Sequence, residues 1–169
     1  MDGRVGAKRE MLRHFLGALA YRTQKAIRDA PSSFAEFEAG NQVRTPKDLL
    51  RHMRSVLGYA RTKFRGGHYQ GDPAPTWDEE VVQFHQMLED LSLHLAGDDP
   101  LDVEPEQLLQ GPFADAMTHA GQLAMLRRLH GAPVPPENFI VADVSAENLT
   151  RNQPPPRSPD AEWPEAPQG

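Results

Sequence analysis

Between Thr45 and Phe64 the residues Leu49, Met53, Val56, Leu57, Ala60 and Phe64 recur at intervals of three and four. A half-buried strand needs every second residue apolar, so this stretch can bury one face only as an α-helix. Its start is marked as well. Thr45 suits an N-cap, Pro46 the first helical position, and Asp48 the positive end of the helix dipole. Three further stretches share the period. Leu12, Phe15, Leu16, Leu19, Ala26 and Ile27 form a stripe from about Ala7 to Arg28. Trp77, Val81, Phe84, Leu88, Leu91 and Leu95 form another, up to about Ala96. "FADAMTHAGQLAMLRRL" reads as a fourth helix, from about Phe113 to His130. No stretch alternates with period two. The Gly- and Pro-rich "RGGHYQGDPAPT" and "GDDPLDVEPEQLLQGP" read as breaks between helices. The expected fold class is therefore all-α, a four-helix bundle.

The connection from Asp29 to Arg44 is longer than a usual bundle turn, and a short helix is expected around Phe34 and Phe37. After Gly131 the pattern changes. The apolar Phe139–Val141 is expected to pack on the bundle or on a partner. From Arg151 onward "RNQPPPRSPDAEWPEAPQG" has many prolines and almost no aliphatic residues, the composition of a disordered tail. The expected division is one bundle domain with its extension over 1–150 and a tail over 151–169. A chain of 169 residues suits a single domain with a real core.

Composition narrows the chemistry. There is no cysteine, which excludes disulfides, zinc knuckles, iron–sulfur clusters and a cysteine nucleophile. Any thiol chemistry would use an external thiol. With 18 Lys and Arg against 24 Asp and Glu, the net charge of −6 is a poor footprint for nucleic acid. No apolar run approaches the roughly 18 residues of a membrane span, and the N-terminus has no signal-peptide pattern. The expectation is a cytoplasmic protein with neither nucleic-acid nor membrane partners.

The fourth helix carries an unusual pair. At roughly 100° per residue, Asp115, His119, Gln122 and Leu126 fall on one strip. Leu123 and Leu129 flank it, while Arg127 and Arg128 point away. Asp115 and His119 are one turn apart, their Cβ atoms roughly 6 Å from each other. A carboxylate and an imidazole at this spacing on one helix suit a divalent transition metal. On the second helix His52 lies at the edge of the apolar stripe beside Leu49 and Val56, with Arg51, Arg54 and Arg61 on the other side. His52 thus supplies a third ligand from a facing helix, which is how bundles build metal sites. Three protein ligands leave a position open for water or substrate.

The other histidines are less well placed. His14 falls opposite its stripe, His94 away from its own, and His68 lies in a loop. His85 borders its stripe and stands in reserve. His130 is about 16 Å along the helix from His119, too far to share an ion. A plainer reading stays open, in which Asp115 serves the helix dipole and His119 merely hydrogen-bonds to it.

"TPKDLLRHMRSVLGYA" followed by "FADAMTHAGQLAMLRRLHG" resembles the DinB/YfiT-like superfamily of four-helix metalloproteins. That family has a His early in the second helix after a Thr-Pro start, and a later helix with a His-x-x-x-His-x-Gly-Gln pattern. His52 matches the first position, and His119 to Gln122 match the end of the later motif. Asp115 stands where His is usual. A branch resembling mycothiol-dependent maleylpyruvate isomerases has an acidic ligand there, normally Glu. The likeness spans about Lys8 to Gly131. It implies a divalent metal, zinc or nickel, on His52, Asp115 and His119. It also implies a low-molecular-weight thiol such as mycothiol or bacillithiol, with a transferase or isomerase reaction on a small electrophile. Gln122 is expected to support His119 from outside the ligand set, and Tyr59 to line the pocket. A homodimer is the expected assembly. Two competing readings are a metal-binding stress protein without catalysis and a metal-free helical module that docks through Phe139–Val141.

Overall fold

The computed structural model describes residues 3–160, 162 and 163. Four long helices dominate: α1 (Gly3–Ile27), α2 (Pro46–Arg65), α3 (Trp77–Ala96) and α5 (Ala114–Leu129). A short α4 (Pro105–Leu108) and a π turn (Leu109–Phe113) lead directly into α5, and a 3₁₀ turn spans Phe139–Val141. The described residues contain no strand, only an isolated bridge between Glu137 and Pro159. No described helix is long and apolar enough to cross a membrane.

The caps explain where α2 and α3 begin. Thr45 accepts a hydrogen bond from the Asp48 amide, with Pro46 behind it, as its sequence suggests. Thr76 and Glu79 cap α3 reciprocally. α1 packs on α3 and α5, and α2 packs on the same two helices. α1 and α2 therefore sit across a diagonal of the bundle, as do α3 and α5. Both diagonal connections must cross an end of the bundle, and this is why they are long. The stripes meet in one core that contains Leu16, Leu49, Met53, Leu57, Phe84, Leu88, Phe113 and Leu123.

Several local expectations are corrected. The 28–45 connection holds turns rather than a short helix, although Phe34 is fully buried. Asn41 and Gln42 adopt left-handed backbone, which ends any helical run there. "GDDPLDVEPEQLLQGP" is not a break throughout, since its second half is helical. Pro112 lacks an amide proton, and its ring would crowd the carbonyl four residues back. The wider π register around it lets the chain stay helical.

Two arginines assigned to outward faces are buried. Arg54, only 5% exposed, pairs with Glu80 at 2.6 Å and also donates to the Tyr69 hydroxyl and the Asp72 carbonyl. The loop after α2 folds back over that face and surrounds the guanidinium with acceptors. Gly58 permits this, because a Cβ there would lie 2.0 Å from the Tyr69 ring. Arg127 donates to the carbonyls of Ala26, Arg28 and Ala132, and so caps the end of α1.

The extension after α5 is fastened to α1. The Glu137 carboxylate is buried between the Tyr21 hydroxyl (2.5 Å) and the Lys25 ammonium (2.8 Å). Phe139 packs edge-on to Tyr21 under the Arg22 guanidinium, whereas Ile140 is 93% exposed. Leu149 enters the core. Where composition suggests a disordered tail, residues 151–160 lie against the end of α1 and this extension. Arg28 donates to the Gln153 carbonyl at 2.6 Å, and the Asp160 amide donates to Pro136. Proline rings leave few amide protons to satisfy, so a few carbonyl contacts suffice to hold such a segment. Ala161 and residues 164–169 of the same stretch lie outside the described residues.

Candidate metal centre

The packing of α2 on α5 brings His52 beside Asp115 and His119. Ligand atoms from all three lie within 4.8 Å of one another. The two imidazoles meet edge to face, ring centres 4.8 Å apart at 76°. His119 is 8% exposed and forms the inner wall, whereas Asp115 is half exposed at the helix start.

The hydrogen bonding around His119 has a chemical consequence. Its Nδ1 faces the Gln122 side-chain carbonyl oxygen at 2.8 Å, a contact that suits the tautomer with the proton on Nδ1. In that tautomer Nε2 is the nitrogen left to donate to a metal. Nε2 faces Asp115 Oδ1 at 3.4 Å, longer than an ordinary N–H···O bond. A ring nitrogen and a carboxylate oxygen thus face each other, with the second imidazole, His52, alongside. Burial, with Arg44 and His119 nearby, holds His52 below the usual imidazole range despite the opposing pull of Asp115. A neutral His52 is the form that can donate to a metal.

The centre opens onto a cleft of about 700 Å³ lined by His52, Tyr59 and Asp115 together with Ser55, Val56, Gln110, Gly111, Pro112, Ala114 and Thr118. Tyr59 lines the cleft, and the Gln122 side chain sits on His119. Ser55, Val56 and Thr118 were missed, although they stand three or four positions from His52 or Asp115, one turn along the same face. Gln110 to Pro112 gave no such signal, because a Gln-Gly-Pro run reads as a break.

The remaining histidines serve the scaffold or the surface. His85 is buried between the Leu149 carbonyl (2.6 Å) and the Gln24 amide (2.8 Å), so it is no reserve ligand. His94, expected away from the core, is buried instead, stacked on Phe64 and bonded to Asp99. His130 contacts Ser33 and packs edge-on to Phe34 and Phe37. His14 and His68 are exposed. A larger cleft of about 810 Å³ lies between the end of α1 and residues 143–154. It holds no convergent ligands, and both its arginines are engaged, Arg28 with backbone carbonyls and Arg151 with Asp78.

No protein-family model, curated protein or solved structure matches this chain.

Proposed function

We propose that His52, Asp115 and His119 hold a divalent cation, zinc or nickel, and that the chain is a metal-dependent enzyme of the DinB/YfiT-like kind. The observation that carries this reading is the convergence of ligand atoms from His52, Asp115 and His119 within 4.8 Å of one another, with Gln122 placed to orient the His119 ring. The residues fit such an ion chemically: two imidazoles and one carboxylate are common ligands of zinc and nickel.

When bound, the ion supplies Lewis acidity, lowering the pKa of a thiol or water that reaches it. The chain's own residues do the rest. Gln122 holds the His119 ring in one tautomer and one orientation. Burial keeps His52 neutral. Asp115 brings one negative charge, leaving a divalent centre net positive and receptive to a thiolate. The cleft beside Asp115 gives a small molecule access, which favours an enzyme over a closed storage site. Because the chain has no cysteine, the thiol in this reading is an external one of the mycothiol or bacillithiol kind. Its co-reactant is a small electrophile, attacked in a transferase or isomerase reaction.

The test is metal content by plasma mass spectrometry on tag-free protein, wild type beside His119→Ala. Near-stoichiometric metal in the wild type, lost in the variant, is the expected result. Absence of metal after reconstitution with zinc and nickel would remove the proposal. Thiol affinity of the loaded protein then separates an enzyme from a non-catalytic metal binder.

A further inference from the structure

The cleft of about 810 Å³ between the end of α1 and residues 143–154 shares no residue with the metal cleft. Two glutamines that are almost wholly buried line it, Gln24 at 5% and Gln153 at 7% exposed. Their partners fix which end of each amide is spent. The Leu149 backbone carbonyl can only accept, so His85 Nδ1 donates to it at 2.6 Å. Burial pulls the His85 pKa down to about 4, so the ring is neutral at pH 7 and its Nε2 accepts. The Gln24 amide nitrogen is then the donor, at 2.8 Å. The Gln153 amide nitrogen is fixed in the same way by two backbone carbonyls, Asn148 at 2.9 Å and Thr150 at 2.8 Å. Both side-chain oxygens are left over, and neither accepts a hydrogen bond among the described residues. Neither is sealed from solvent. Both amides are anchored on one short stretch, residues 148–150, Gln24 from α1 through His85 and Gln153 from the extension.

Two charges in the same lining lack a counter-charge. Arg28 donates only to neutral carbonyls, Gln153 at 2.6 Å and Pro154 at 3.2 Å, and does so through a single nitrogen. Asp29, exposed on left-handed backbone (φ 51°), makes no hydrogen bond or ion pair among the described residues. The other charges of the lining are paired, Arg151 with Asp78 at 2.7 Å and Asp143 with Arg157 at 2.9 Å. One cation, one anion and two unpartnered carbonyl oxygens thus border one cleft.

We infer that this cleft binds a small zwitterion of the α-amino-acid type, its ammonium held by Asp29 with the Gln24 and Gln153 oxygens and its carboxylate by Arg28. An ammonium has three N–H donors and no acceptor, and these three groups are its complement. The unspent N–H groups of Arg28 suit a carboxylate. Ile27, Trp77 and Val81 give an apolar wall for the rest of the molecule. The volume falls within the roughly 300–1,000 Å³ typical of small-molecule pockets. Nothing in this site depends on the metal.

The experiment is an amide NMR titration of the full chain with phenylalanine, phenethylamine, 3-phenylpropanoate and N,N,N-trimethylphenylalanine. All four share one aromatic body. The second lacks the carboxylate, the third lacks the ammonium, and the fourth keeps both charges but has no N–H to donate. Phenylalanine is expected to bind most tightly and to shift the amides of Asp29, Asn148 and Asn152. Each of the other three is expected to bind about tenfold more weakly, the scale of a lost hydrogen bond to a charged group. Asp29→Asn keeps the backbone, since asparagine adopts the left-handed region readily. It is expected to weaken phenylalanine about tenfold and to leave 3-phenylpropanoate unchanged. Binding of any other probe as tight as phenylalanine would overturn the inference. So would the absence of shifts at these amides, or an equal effect of Asp29→Asn on phenylalanine and 3-phenylpropanoate.

Discussion

Gln122 sits on the surface of α5, yet its side-chain oxygen lies 2.8 Å from Nδ1 of His119 and orients that ring. Partners of this kind are worth roughly 10–100-fold in metal affinity. Gln122→Ala is expected to weaken zinc binding by that factor, measured by competition with a chromophoric chelator, with no loss of metal-free stability. An unchanged affinity would show that the contact does not orient the ring. Arg54 poses the opposite problem, a charge held inside. Its carboxylate partner Glu80 is equally buried and also accepts the Ala74 amide. Glu80→Gln leaves the guanidinium without a counter-charge, at an expected cost of about 3–5 kcal/mol in urea unfolding.

At the scale of elements, the loop after α2 owes its position to one missing side chain. Gly58→Ala gains about 1 kcal/mol of helix propensity. It also drives a methyl group into the Tyr69 ring, and overpacking of this kind costs about 1–3 kcal/mol. The clash is expected to win, giving net destabilisation, because Tyr69 is held by Arg54. In a Tyr69→Ala background the same substitution should become stabilising, and thermal melts of the four proteins check the change of sign. The π turn shows a related trade. Pro112 could have ended the helix, but the wider register keeps the chain helical from Pro105 to Leu129 and turns Gln110 and Gly111 into the cleft.

For the whole molecule, His85 links three parts of the fold: α3 itself, Gln24 of α1 and the Leu149 carbonyl of the extension. Burial pulls its pKa down from 6.5 to about 4. The unfolded chain therefore takes up this proton first as the pH falls. Stability from this group is complete above about pH 6.5 and is lost as the pH drops toward 4, by about 3 kcal/mol. Urea midpoints at pH 7, 5 and 4 test this, and His85→Asn should flatten the slope between them. Metal should act in the opposite sense. Zinc at a hundred times its Kd contributes about 2.7 kcal/mol to the folded state. The expected rise is about 5–10 °C in Tm, reversed by a chelator and absent in His119→Ala.

Helical period, caps and ligand spacing are local properties, which is why they could be read directly from the chain. Leu49 to Phe64 announce α2, Thr45 and Thr76 mark where α2 and α3 begin, and Asp115 and His119 share a turn whatever surrounds them. His52 could be named as their companion because its azimuth follows from the same period. Tertiary structure alone decided what packs across the gaps. It buried Arg54 under a loop and Arg127 against the end of α1, since a guanidinium can be buried wherever backbone carbonyls or a carboxylate converge from distant positions. It set residues 151–160 against the end of α1 and the extension through carbonyl contacts that composition does not encode. It also turned the Gln122 carbonyl onto His119 and opened a cleft beside Asp115. Distances between residues far apart in sequence come from the meeting of helices, and no period within one helix contains them.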